Sequence, residues 1–138
     1  MAANKNPIFT RVGDVQWAPA ALAAANIAKD GTGTVATVFT ADAAEGGFAV
    51  KLVARASGMA VATVLRVFVN NGATNTVAAN NILMAEMTLP AVTLSEVAAQ
   101  PAYELALNLA LPPGYKINCT LGTAVAAGYC LSVQGGKY

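Results

Sequence analysis

From Gly31 onward, apolar residues recur at every second position almost to Tyr138, the spacing of strands rather than helices. "GTVATVFTA" (33–41) is β-branched and predicts a strand. "GFAVKLVARAS" predicts another, with Phe48, Val50, Leu52 and Ala54 on one face and Lys51 and Arg55 on the other. The stretch from Val61 to Asn70 has two apolar faces. Val61, Thr63, Leu65, Val67 and Val69 point one way, and Ala62, Val64, Arg66 and Phe68 the other. A half-exposed strand shows polar residues on one face, so this pattern predicts a strand covered on both sides. Asn70-Asn71-Gly72 then signals a tight turn.

"NNILMAEMTLP" predicts a strand ended by Pro90, and Ala91–Pro101 reads as either a short strand or an irregular crossing loop. "AYELALNLALPPGYKINCTLG" predicts a hairpin. Tyr103, Leu105, Leu107, Leu109 and Leu111 form one apolar face, Pro112-Pro113-Gly114 turns, and Tyr115, Ile117, Cys119 and Leu121 resume that face. In the last strand Val125, Tyr129, Leu131 and Val133 share a face and Cys130 takes the other. Cys119 and Cys130 therefore point to opposite faces unless Gly128 inserts a bulge, which argues against a disulfide between them.

The first thirty residues break the rhythm. They hold Trp17, two prolines and the alanine-rich "PAALAAANIA". Residues 1–30 are expected to be an extended N-terminal arm or a short helix on alanine propensity, and 31–138 the folded domain. Trp17 is either a plug for the core or an anchor in a partner's pocket. About eight evenly spaced strands predict an all-β fold, an antiparallel β-sandwich of jelly-roll type.

Composition adds one constraint. The chain is 56% hydrophobic and only 11% charged, against roughly 25% charged in an ordinary soluble domain. Alanine supplies 31 of the 138 residues, yet the Val, Leu and Ile still exceed what one small sandwich buries. An obligate oligomer or a subunit of a larger assembly is expected. A net charge of +1 gives no nucleic-acid footprint. No apolar run is long enough for a membrane helix, and the first residues lack a signal-peptide core, so synthesis in a cytoplasm is expected.

Candidate chemistry is sparse. Histidine is absent, which removes the commonest general base and neutral metal ligand. Two cysteines without histidine complete no zinc set, and "EGGF" lacks the residues of a phosphate loop. Neither a catalytic residue, a cofactor nor a metal is expected. Glu86 and Glu104 lie on different strands and would be the carboxylates of a hydrolase. The plainer reading pairs each with Arg55 or Arg66. Lys51, Arg55 and Arg66 near Phe68 would make a stacking platform for nucleic acid, but a salt-bridged strand face has the stronger prior. Asp30 and Asp42 read as turn residues. "NNGATNTVAANN" reads as a sugar-contacting loop or, more simply, as a connection whose amides satisfy nearby backbone.

The stretches "GTGTVATVFTA", "VATVLRVFVNNG", "LPAVTLSE" and "YELALNLALPPGYKINCTLGTAVAAGYCLSVQGGKY" together resemble small virion proteins of tailed bacteriophages. The resemblance spans about Gly31 to Tyr138 and includes no catalytic motif. Within that class the small size and missing fibre repeats look most like a head decoration (cement) protein. That implies a β-rich homotrimer on the virion surface, bound to the major capsid protein, with neither nucleic acid nor membrane as partner. A tail, baseplate or receptor-binding component and a carbohydrate-binding module are the rival readings. On the physical side, Val64, Arg66 and Phe68 are expected at a subunit interface, with Arg66 paired across it to Glu86 or Glu104. Phe9, Arg11 and Trp17 of the arm are expected to touch the shell or a neighbouring subunit.

Overall fold

The period-two pattern becomes eight antiparallel strands in the computed structural model, which describes residues 10–138. They are β1 (Val12–Trp17), β2 (Ala36–Thr40), β3 (Gly47–Ala56), β4 (Thr63–Asn70), β5 (Asn81–Leu89), β6 (Ala102–Leu111), β7 (Lys116–Leu121) and β8 (Tyr129–Lys137). The first sheet runs β1-β8-β3-β6 and the second β2-β7-β4-β5. This is the jelly-roll order, two sheets of four in which most successive strands change sheet. Leu52, Ala54, Leu131 and Val133 of the first sheet meet Leu65, Val67, Ile117, Cys119 and Leu121 of the second in one buried core.

Four sequence expectations are revised. The described part of the N-terminal segment forms no helix: Val12–Trp17 is the edge strand β1, paired along its length with β8. The alanine-rich stretch beyond Pro19 is also non-helical. It is tethered by single bridges from Leu22 to Tyr129 and from Ala25 to Leu121. Alanine propensity alone does not hold a ten-residue helix, and here neighbouring strands take the backbone bonds instead.

β6 and β7 are not a hairpin. β6 pairs only with β3, and β7 pairs with β2 and β4 in the other sheet. Pro113 and Gly114 (φ 78°) form the corners of a turn closed by Tyr115 N–H donating to the Pro112 carbonyl at 3.2 Å. That turn carries the chain across the core, so the β6 leucines and Ile117, Cys119 and Leu121 face one another instead of sharing a surface.

In β3 a register shift between Ala49 and Lys51 turns Ala49 into the core and leaves Val50 outside, opposite to the simple alternation. Ala91–Pro101 is irregular apart from a bridge between Ala60 and Val92.

The expected parity of the two cysteines holds. Cys119 is buried in the core, Cys130 is exposed on the outer face of the other sheet, and neither is in a disulfide. Tyr129 is fully buried and its hydroxyl has no hydrogen-bond partner. A buried donor without an acceptor is destabilising. Tyr129→Phe is therefore expected to have a thermal midpoint equal to or above that of the unaltered chain. A clear drop in a calorimetric scan would show that the hydroxyl has an acceptor.

Candidate interaction surface

Strand alternation and register determine what the outer face of the first sheet presents. Val15 and Trp17 point outward from β1 because Asp14 and Gln16 turn the other way. Gln16 is held there, donating to the Thr40 carbonyl at 2.8 Å and accepting from the Thr40 N–H at 2.9 Å. Trp17 lies beside Ser132, which lies beside Val53, which lies beside Glu104. The adjacent row is Val15, Gln134, Lys51 and Ala106, and beyond Val53 the next pair is Cys130 and Arg55. Trp17 is 66% exposed, although burying an indole is among the larger gains available to a side chain. Together with Pro19, Ala21, Val53, Arg55 and Cys130 it lines a shallow depression of about 360 Å³. Lys51 is paired with Glu104 at 3.2 Å, whereas Arg55 has no ion-pair partner among the described residues.

The outer face of the second sheet is different. It holds Val64, Arg66 and Phe68, the three residues expected at a subunit interface. Phe68 is 0% exposed yet lies outside the inter-sheet cluster, so its own chain seals it on the outer face. Asn70, Asn118 and Thr120 are buried there as well. Val64 is half-buried, and its side chain fills the space a Cβ on Gly122 would need. Arg66 has only 11% of its side chain exposed and donates through Nε to Glu86 Oε1 at 2.8 Å. Its partner sits directly opposite on β5 of the same chain, so the expected pairing across subunits is corrected to an internal one. Strand β4 is thus covered on both sides, as its pattern predicts, but the outer cover at Phe68 is intramolecular.

The remaining candidates are placed as follows. Arg11 is exposed and bonds Glu45 at 2.6 Å and the Tyr138 carbonyl at 3.1 Å. Phe9 lies outside the described residues. Glu86 and Glu104 stand on outer faces of opposite sheets, so they do not form a carboxylate pair. The asparagine-rich connection is occupied internally. Asn75 donates to the carbonyls of Gly31 and Gly33 at 3.1 and 2.8 Å. Asn81 donates to the carbonyls of Asp30 and Asn75 at 3.2 and 3.0 Å and accepts from Asn70 at 2.7 Å. Asp30 and Asp42 are turn residues whose carboxylates accept local hydrogen bonds, led by the Thr32 hydroxyl and the Glu45 N–H. Those bonds hold both below the usual carboxylate range. Among the described residues no group of three His, Cys, Asp or Glu side chains is placed to hold a metal. No helix among them is long and apolar enough to cross a membrane.

No protein-family model matches the chain, and comparison with curated proteins and with solved structures returns no match. The signal that sequence reading missed is the strand itself. "VGDVQW" has outward apolar residues at Val15 and Trp17 with polar residues between them, which is an alternating strand with its apolar side facing solvent.

Proposed function

We propose that the protein is a structural component of a bacteriophage virion, a head decoration protein that binds the assembled shell as a homo-oligomer, most simply a trimer, and stabilises it. The observation that carries this reading is the exposed Trp17 on the outer face of a four-stranded sheet, with Val15 in the adjacent row and Arg55 close by. Aromatic and arginine side chains of this kind dominate protein interfaces, where they fill a pocket on the partner. The resemblance in the Gly31–Tyr138 strands points to the virion, and a jelly roll is an architecture used in viral shells, which is support by analogy only.

The test is cosedimentation with shells of the parent phage prepared without this protein. The intact protein is expected to bind and to raise the resistance of the heads to heat or chelation. Trp17→Ala is expected to weaken binding about thirtyfold or more while leaving the thermal midpoint unchanged, since an exposed anchor adds little to folding. Unchanged binding by Trp17→Ala would remove this face from the contact. Particles that lack the protein and are tailless or fail to adsorb would move it to the tail.

A second reading, glycan binding, is favoured by the same indole, because Ser132, Gln134 and the Lys51–Glu104 pair supply polar groups near it. Trp17 is the single tryptophan, so its fluorescence reports directly on that face. A saturable emission change with oligosaccharide and none with shells would favour glycan.

A further inference from the structure

The depression beside Trp17 is apolar on one side and cationic on the other. The indole, Pro19 and Val53 line it together with Arg55, and no Asp or Glu does. Two cations stand on this outer face. Lys51 is paired with Glu104 at 3.2 Å, whereas Arg55 has no ion-pair partner among the described residues. Its neighbours in register are Cys130 on β8 and Ala102 on β6, so no carboxylate stands directly opposite it on either strand. Residues 1–9 contain no Asp or Glu and cannot supply one either. The fold treats its other two arginines differently, joining Arg11 to Glu45 and Arg66 to Glu86. The backbone at the rim adds donors. Ala20 and Ala21 line the depression, and the N–H of neither has a hydrogen-bond acceptor among the described residues.

We infer that this depression receives the carboxylate of an Asp or Glu side chain, with an apolar residue beside it, from the surface of the shell protein. This rests on the shell-binding reading above and names the chemistry that the partner brings to the Trp17 face. A guanidinium pairs with a carboxylate through two parallel N–H donors, and the flat indole takes the apolar neighbour. The lining selects among anions. A nucleic-acid backbone repeats its charge and is held by a row of cations. Here one free cation stands beside an indole, and the whole chain carries only +1. A small organic acid needs a pocket that encloses most of its surface. This depression is shallow, so a carboxylate is held there only when the surface that carries it makes further contacts. Trp17, 66% exposed, and Val15, 58% exposed, are placed to give them. A protein surface brings all of these at once. The charge pair then decides which segment of the shell Trp17 meets, and contributes specificity more than strength.

The experiment is cosedimentation of the full chain with shells of the parent phage prepared without it, over a series of NaCl concentrations. Arg55→Gln is expected to bind about tenfold more weakly and with a flatter salt dependence. Arg55→Lys is expected to stay within about threefold of the unaltered protein, and Arg55→Glu to bind more weakly than Arg55→Gln. Arg55 is exposed, so all three variants are expected to keep their β-sheet circular dichroism. The reciprocal test uses shells with single acidic-to-lysine substitutions in the shell protein, one of which is expected to restore binding of Arg55→Glu. Failure of the intact protein to bind shells overturns the shell reading and this assignment together. Binding that is lost in Trp17→Ala but unchanged in Arg55→Gln overturns the carboxylate assignment alone, as does rescue by none of the shell substitutions. Duplex DNA is expected to leave Trp17 emission unchanged, and a saturable change that disappears in Arg55→Gln would give the depression to phosphate instead. Glu96 and the exposed Val97 make the chain's own segment of the inferred kind, so a second copy is the rival occupant. Light scattering is expected to find the same oligomeric state for Arg55→Glu as for the unaltered chain. A smaller species that still binds shells would give the depression to a second copy and overturn the assignment.

Discussion

Phe68→Ala is expected to destabilise the isolated subunit by about 3–5 kcal/mol, enough to leave a domain of ordinary stability marginal or unfolded. The ring is 0% exposed in a single chain, so its removal opens a cavity whether or not a partner is present. A side chain at a subunit contact behaves differently, because its truncation weakens association and leaves the subunit's own unfolding midpoint almost unchanged. Urea unfolding at a protein concentration low enough to dissociate any oligomer separates the two cases. A shift in midpoint of less than about 1 kcal/mol equivalent would return Phe68 to the interface. The companion variant Phe68→Leu retains most of the volume and is expected to recover most of the loss.

Asn81→Ala carries the second large effect, about 2–3 kcal/mol. The Asn81 carboxamide is a hub: it accepts from buried Asn70 and donates to carbonyls of Asp30 and Asn75, which lie on two connections far apart in sequence. Its loss leaves the Asn70 amide buried without that acceptor, and an unmet buried donor costs more than a made hydrogen bond contributes. The expected signature is local as well as global. Amide exchange should accelerate in 29–34 and 71–80 before it does in β7 or β8. Asn81→Asp tests the donor role alone, since it keeps an acceptor for Asn70 and removes the amide that reaches Asp30. Uniform exchange in both variants would show that the network does not latch the connections.

The strands were legible because a half-buried strand imprints its period on the residues. The alternation in "YELALNLAL", "NNILMAEMTLP" and "YCLSV" maps onto β6, β5 and β8 with little error. Pairing was not legible. A hairpin and a crossing between sheets impose the same inward period on Leu105–Leu111 and Ile117–Leu121, and the proline-glycine turn serves either route. The outward face of β4 exposes a related limit. Parity predicts that Val64, Arg66 and Phe68 share a side, and they do, but parity carries no information about what covers that side. The cover at Phe68 comes from its own chain, and parity along β4 cannot show which segment supplies it. Trp17 is the converse case. Its strand was hidden because the apolar side of "VGDVQW" faces out, which a reading built on burial treats as irregular. The Ala49/Lys51 shift and the Asn108 bulge belong to a third class, since an extra residue in one strand shows only against its partner.

The place of β8 has a kinetic consequence. It is the last strand of the described residues, yet it lies inside its sheet, between β1 and β3. During synthesis β1 and β3 emerge long before the strand that joins them, and each waits with an unsatisfied edge. The loop that closes when Trp17 finds Ser132 spans more than a hundred residues, and such closures are entropically costly and slow. Folding of the first sheet is thus a late event, completed only after Tyr129–Lys137 has left the ribosome. Until then the apolar strands rely on the few charges of the chain to keep them apart, so the growing chain is more prone to aggregation than the finished fold.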